Sequence, residues 1–144
     1  MASELVFELP SELETIEGAV AFVMERCEPC WAIQRARKFN FQVALCEALS
    51  NAILYGNRRD PDKRVRVEVV IQGTSVTAEI TDEGSGFDPS LVPDPREPEN
   101  IMRSSGRGLF LMRELVDEVR YNDRGNSVAL VLRWEGCEDA RSGE

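Results

Sequence analysis

Three short stretches of this sequence carry residues whose types and spacing could do chemistry. In the first, EALSNAILYGN at 47–57, Glu47 and Asn51 stand four residues apart in a segment otherwise patterned for burial. On a helix of 3.6 residues per turn they lie within about 40° of each other, at one edge of the apolar arc. A carboxylate there can accept a proton or orient a hydroxyl or water, and an amide oxygen is a hard ligand suited to Mg²⁺. An isolated E-x-x-x-N pair is also what an ordinary solvated helix edge looks like, so the pair alone decides nothing.

The second stretch is DEGSGF, 82–87. Asp82 falls on the inward side of a strand, where a carboxylate is costly unless donors reach it from the fold or from a ligand. Gly84 and Gly86 remove side chains where the chain leaves that strand, which permits close approach by a flat or bulky group. The bland alternative is a glycine-rich turn with a capping aspartate. In the third stretch, SSGRGLFLM at 104–112, Gly106 and Gly108 flank Arg107 at a helix start, where free N–H groups and the helix dipole favour phosphate. A flexible loop entering a helix would look the same.

The elements that must position these residues follow from periodicity. LVFELP at 5–10 alternates and stops at proline, as a short strand does. Ser11 and Glu14 have capping-box spacing, and apolar residues recur at helical intervals from Leu13 to about Cys27. A second helix is expected from about Phe39 to Tyr55, with Phe41, Ala44, Leu45, Ala48, Leu49, Ala52 and Ile53 on one face and Gly56 and Asn57 ending it. VRVEVVIQG and SVTAEITDEG form paired strands turning at Gly73, with Val65, Val67, Val69 and Ile71 facing Val76, Ala78 and Ile80. A loop rich in proline and charge, about Asp88 to Ser105, precedes a third helix near Arg107 to Val116, and a hairpin turning at Asp123 to Asn126 closes the chain. Tight strand connections imply a mixed, mainly antiparallel sheet with helices on one face, a two-layer α/β sandwich.

Composition bounds the function. The 144 residues are 42% hydrophobic, enough for one domain, 1–144, with a core over about 5–135 and a polar tail at 136–144. A formal charge of −9 opposes phosphate backbones and anionic lipid, so direct nucleic-acid or membrane binding is not expected. No basic start followed by an apolar run, and no stretch near the roughly 20 apolar residues of a span, leads to a cytoplasmic expectation. Four cysteines and no histidine give no disulfide framework and no common zinc set. Cys27 and Cys30 are read as incidental thiols. Arg58, Arg59, Lys63 and Arg64 are read as a solvated turn after a helix, and Trp31 and Trp134 as packing residues.

The order of these motifs resembles the nucleotide site of the GHKL ATPase and kinase superfamily. ALCEALSNAILYGN, ITDEGSGFDP and SSGRGLFLMRELVDEV look like the small bacterial anti-sigma factor serine/threonine kinases, a resemblance spanning roughly residues 8 to 134. It implies a Bergerat-type sandwich that binds ATP and Mg²⁺. By that resemblance Asn51 would ligate the metal, Glu47 would act as base toward a protein hydroxyl, and Asp82 would accept from the adenine amino group beside Gly84 and Gly86. Gly106, Arg107 and Gly108 would close on the phosphates, with the loop before them as the lid. The partners implied are a sigma factor and a STAS-type anti-sigma factor antagonist, with a homodimer as the assembly. Tyr55 stands where relatives often carry histidine, which bears on local packing and partner contacts. Two other readings remain: a nucleotide-dependent module that sequesters its partner with little or no catalysis, and a histidine kinase catalytic domain, opposed by the absence of any histidine.

Overall fold

Alternating valines at 64–72 and 75–81 demand strands with one dry face, and a computed structural model of the chain, which describes residues 2–27, 35–84 and 111–133, forms strands there. In chain order the elements are β1 (Ala2–Pro10), a 3-10 turn at Leu13–Thr15, α1 (Ile16–Arg26), α2 (Arg35–Asn51) and a π-helical turn at Ala52–Gly56. Then follow β2 (Arg64–Gln72), β3 (Ser75–Thr81), helical residues at 111–115, β4 (Glu118–Tyr121) and β5 (Ser127–Arg133). The sheet order is β1-β2-β3-β5-β4. Among the described residues every pairing in it is antiparallel, in keeping with the mainly antiparallel sheet expected.

The tight turn at Gly73 is as expected. Gln72 pairs with Ser75, leaving Gly73 and Thr74 as a two-residue loop, and Gly73 has φ 57°. That left-handed conformation is open to glycine without a Cβ clash. Val65, Val67, Val69, Val76, Ala78 and Ile80 line the inner face with Val128, Leu130 and Leu132. They share one core with Val20, Val23 and Met24 of α1 and with Phe41, Leu45 and Leu49 of α2. Each large aliphatic or aromatic side chain buried there contributes about 1.5–3 kcal/mol. The result is a two-layer α/β sandwich with α1 and α2 on one face of the sheet.

Two local expectations are corrected. Ser11 does not cap α1: its hydroxyl donates to the Lys63 carbonyl at 2.7 Å, tying the end of β1 to the start of β2. The chain enters α1 through the 3-10 turn, with Thr15 at the N-cap making no side-chain cap bond. The second helix begins four residues before Phe39; its helical path ends at Gly56 close to the expected Tyr55, with the last turn, from Ala52, in π rather than α geometry. The third helix is described only from 111, so its expected start at Arg107 lies outside the described residues.

Candidate functional site

α2 carries the polar pair. Its apolar arc is buried, with Phe41, Ala44, Leu45 and Leu49 fully enclosed, whereas Glu47 and Asn51 are half-buried along one flank. Neither side chain has a hydrogen bond or ion pair among the described residues. A groove of about 570 Å³ among the described residues lies between α2 and α1 and includes Ile16, Val20, Cys46 and Ser50. Cys46 and Ser50 fall on the opposite side of the buried arc from Asn51 by helical geometry, so that groove is separate from the polar pair. Burial, helped by the neighbouring Glu47 charge, raises the Cys46 thiol above its ordinary value, so it is an uncharged wall group at neutral pH.

Immediately after Asn51 the helix widens. The Asn57 N–H donates to the Ala52 carbonyl at 2.8 Å, an i to i−5 bond, and the Arg59 N–H reaches the Ile53 carbonyl at 2.8 Å. Such π turns inside or at the end of α-helices recur at functional sites because they re-aim the chain. Here the turn brings Gly56 against the end of β3. A Cβ on Gly56 would overlap the Asp82 carboxyl group, and one on Gly84 would overlap the Gly56 carbonyl. Glycine at both positions lets α2, Asp82 and the strand exit meet.

Asp82 itself is held from several sides. Its backbone N–H donates to the Asn126 carbonyl at 2.8 Å, and the Asn126 side-chain amide donates back to the Asp82 carbonyl at 3.1 Å. Its Oδ1 accepts the Gly84 N–H at 2.8 Å. Burial raises the Asp82 carboxyl above the usual carboxylate range, opposed by the Gly84 N–H and by the positive charges of Lys63 and Arg124. A partly desolvated carboxylate with acceptor capacity left over is suited to an amino-group donor. Tyr121 is pushed up to about 12 by burial, opposed by Arg113 and aided by the Asp82 charge, so its phenol stays protonated.

The sequence reading missed one buried polar group. Asn57 is 1% exposed and uses its whole amide. Its Nδ2 donates to Ser11 Oγ and to the Arg64 carbonyl, both at 3.0 Å, and its Oδ1 accepts the Glu83 N–H at 2.7 Å. The Arg64 N–H in turn donates to the Glu83 carboxylate. A glycine-asparagine ending does not by itself distinguish a helix stop from a clasp. Of the remaining expected site residues, Gly86, Gly106, Arg107 and Gly108 lie outside the described residues, as does the loop at 88–105.

The donor set fits a nucleotide better than a protein-held metal. Among the described residues no group of three His, Cys, Asp or Glu side chains converges to hold a metal ion. The Asn51 amide oxygen, unpartnered among the described residues, can supply one hard ligand, so Mg²⁺ here would need phosphate and water oxygens to complete its shell, which is its usual habit. Glycines packed around a half-buried carboxylate likewise fit one edge of a flat heterocycle.

Residues 9–132 match the family model for the histidine kinase-like ATPase domain. The chain is 31% identical over 98 residues to the serine-protein kinase RsbW of Listeria monocytogenes serovar 1/2a, covering 63% of this chain and 62% of that protein. It is 32% identical over 89 residues to the anti-sigma F factor of Anoxybacillus flavithermus, covering 59% and 60%. It is 28% identical over 106 residues to the serine-protein kinase RsbW of Oceanobacillus iheyensis, covering 69% and 67%. The match thus spans a little under two thirds of the length of the first two relatives.

Proposed function

Because the chain belongs to the histidine kinase-like ATPase domain family, we propose that it is an ATP- and Mg²⁺-dependent protein serine/threonine kinase acting as an anti-sigma factor. Its phosphoryl acceptor would be a hydroxyl on a STAS-type anti-sigma factor antagonist, and its other partner a sigma factor. The names of the relatives support the class of reaction and of partner. The observation that carries the reading is the junction of α2 with β3, where Glu47 and Asn51, without partners among the described residues, lead through the π turn to Asp82.

In this reading Asp82 orients the adenine amino group, with Gly84 and Gly86 forming the wall beside it. Asn51 presents its amide oxygen to the metal, and Mg²⁺ when bound neutralises charge on the phosphates. Gly106, Arg107 and Gly108 contact those phosphates, and the loop at 88–105 covers them. Glu47 accepts the proton of the attacking hydroxyl. Phosphoryl transfer demands mainly positioning and charge neutralisation, so few protein groups suffice. The proposal places the protein in the cytoplasm, as a homodimer of one-domain chains. Among the described residues no helix is long and apolar enough to cross a membrane.

Incubating the chain with Mg·ATP and its cognate antagonist tests the reading. Transfer to the antagonist is expected, and Glu47→Gln should lower its rate by about 10²–10⁴-fold, the usual worth of a general base, while nucleotide affinity stays within a few-fold. Nucleotide and antagonist binding without any transfer by the wild type would replace this reading with the sequestering module.

A further inference from the structure

The nucleotide reading uses Asn51, at the end of α2, and Asp82, at the end of β3, but does not say what fixes one relative to the other. The two residues sit on different elements separated by the whole β2–β3 hairpin. Direct continuity exists only on the α2 side, where the π turn at Ala52–Gly56 leads from Asn51 to Asn57. Asn57 then reaches three other segments at once: Ser11 after β1, Arg64 at the start of β2, and Glu83 next to Asp82. Its two donors and its acceptor oxygen are all engaged in a site that is closed to solvent, where any one left unmatched would be costly. Beside it, Gly56 abuts the Asp82 carboxyl so closely that no side chain fits between them.

We propose that Asn57 is a positioning residue for nucleotide recognition, which locks the Asp82 carboxylate at a set place relative to the Asn51 end of α2. The proposal rests on the nucleotide reading above. The critical bond is the one from the Glu83 N–H to Asn57 Oδ1, because it fixes the peptide that follows Asp82. The bonds to Ser11 and Arg64 anchor the amide so that its oxygen points toward Glu83. Asn57 touches no substrate in this account. It acts through the backbone of Glu83 and through Gly56, and its loss should damage adenine recognition more than overall folding.

The experiment compares Asn57→Ala with Val23→Ala, a core variant on α1 remote from the clasp that supplies a general loss of stability. Both are studied at a temperature where each is folded by circular dichroism, with Asn57→Ser in reserve should the alanine variant not fold. Two readouts are taken: ADP affinity by calorimetry, and titration of the Asp82 carboxyl by NMR in the absence of nucleotide. Asn57→Ala should bind ADP at least tenfold more weakly and return the Asp82 titration toward that of a solvated aspartate. Val23→Ala should bind within twofold of wild type and leave the Asp82 titration unmoved. The proposal is overturned if Asn57→Ala alters neither readout, or if the two variants lose affinity in proportion to their lost stability. If wild-type protein binds no nucleotide, the nucleotide reading falls, and an unchanged Asp82 titration in Asn57→Ala would remove the positioning role as well.

Discussion

Asp82 concentrates the tension between stability and use. Its carboxyl is raised above the ordinary range chiefly by burial, so the folded state holds its proton more tightly than the unfolded chain. Its contribution to stability is therefore complete below the unfolded value and is lost as pH rises through the folded one. At neutral pH the ionised group opposes folding, which is consistent with the ligand role proposed for it. Asp82→Asn should accordingly raise the unfolding temperature of the nucleotide-free protein at pH 7, with the gain shrinking toward pH 3, and should remove the shift produced by ADP. A variant less stable at pH 7 than the wild type would show that the retained bonds outweigh the burial cost. Gly56→Ala tests the contact from the other side. Its new methyl group has no room beside Asp82, and overpacking of this kind costs about 1–3 kcal/mol, measurable by urea unfolding. The half-buried placement of Asp82 was legible because the alternation of β3 turns that position inward. Asn57 was not, because its worth lies in partners 46, 7 and 26 positions away along the chain.

Among the elements, those set by short-range periodicity were legible and those set by tertiary contacts were not. The β2–β3 hairpin follows from strict alternation around a glycine, and α2 from its apolar face. The start of α1 was misread because Ser11 and Glu14 have the spacing of a capping box, while the Ser11 hydroxyl is turned to the sheet end, accepting from the Asn57 amide and donating to the Lys63 carbonyl. Ser11→Ala should thus destabilise by about 0.5–1.5 kcal/mol, the net worth of a typical hydrogen bond. Amide exchange should quicken around residues 63–64 and 83 and not in the first turn of α1. Protection lost only in α1 would restore the capping role. The helical path ends at Gly56 as expected, but the geometry of its last turn was not legible. A π turn replaces the last α turn there so that Gly56 and Asn57 can meet Asp82 and Glu83, and no local propensity encodes that meeting. Arg58 and Arg59 follow with φ of 52° and 58°, left-handed values that cost non-glycine residues about 1–2 kcal/mol each. The basic turn foreseen from the sequence is therefore a strained one.

Over the whole molecule, the dry face of the sheet and the two helices make a single core that includes Val23, Leu45, Leu49, Ile80 and Leu130. Leu45→Ala should cost about 2–5 kcal/mol by opening a cavity between α2 and the sheet, seen as a lower urea midpoint with an unchanged slope. A changed slope would point to a loosened native state instead. The central claim is that the flank of α2 and the end of β3 together hold a nucleotide through Asn51 and Asp82. The most direct test is the unfolding midpoint with ADP or ATP, with and without Mg²⁺, for wild type and Asn51→Ala. Ligand at 100 times its dissociation constant should add about 2.7 kcal/mol, a rise of several degrees at this size. The account predicts a Mg²⁺-dependent rise in the wild type that Asn51→Ala loses. No rise at millimolar nucleotide, or an equal rise in both proteins, would contradict it.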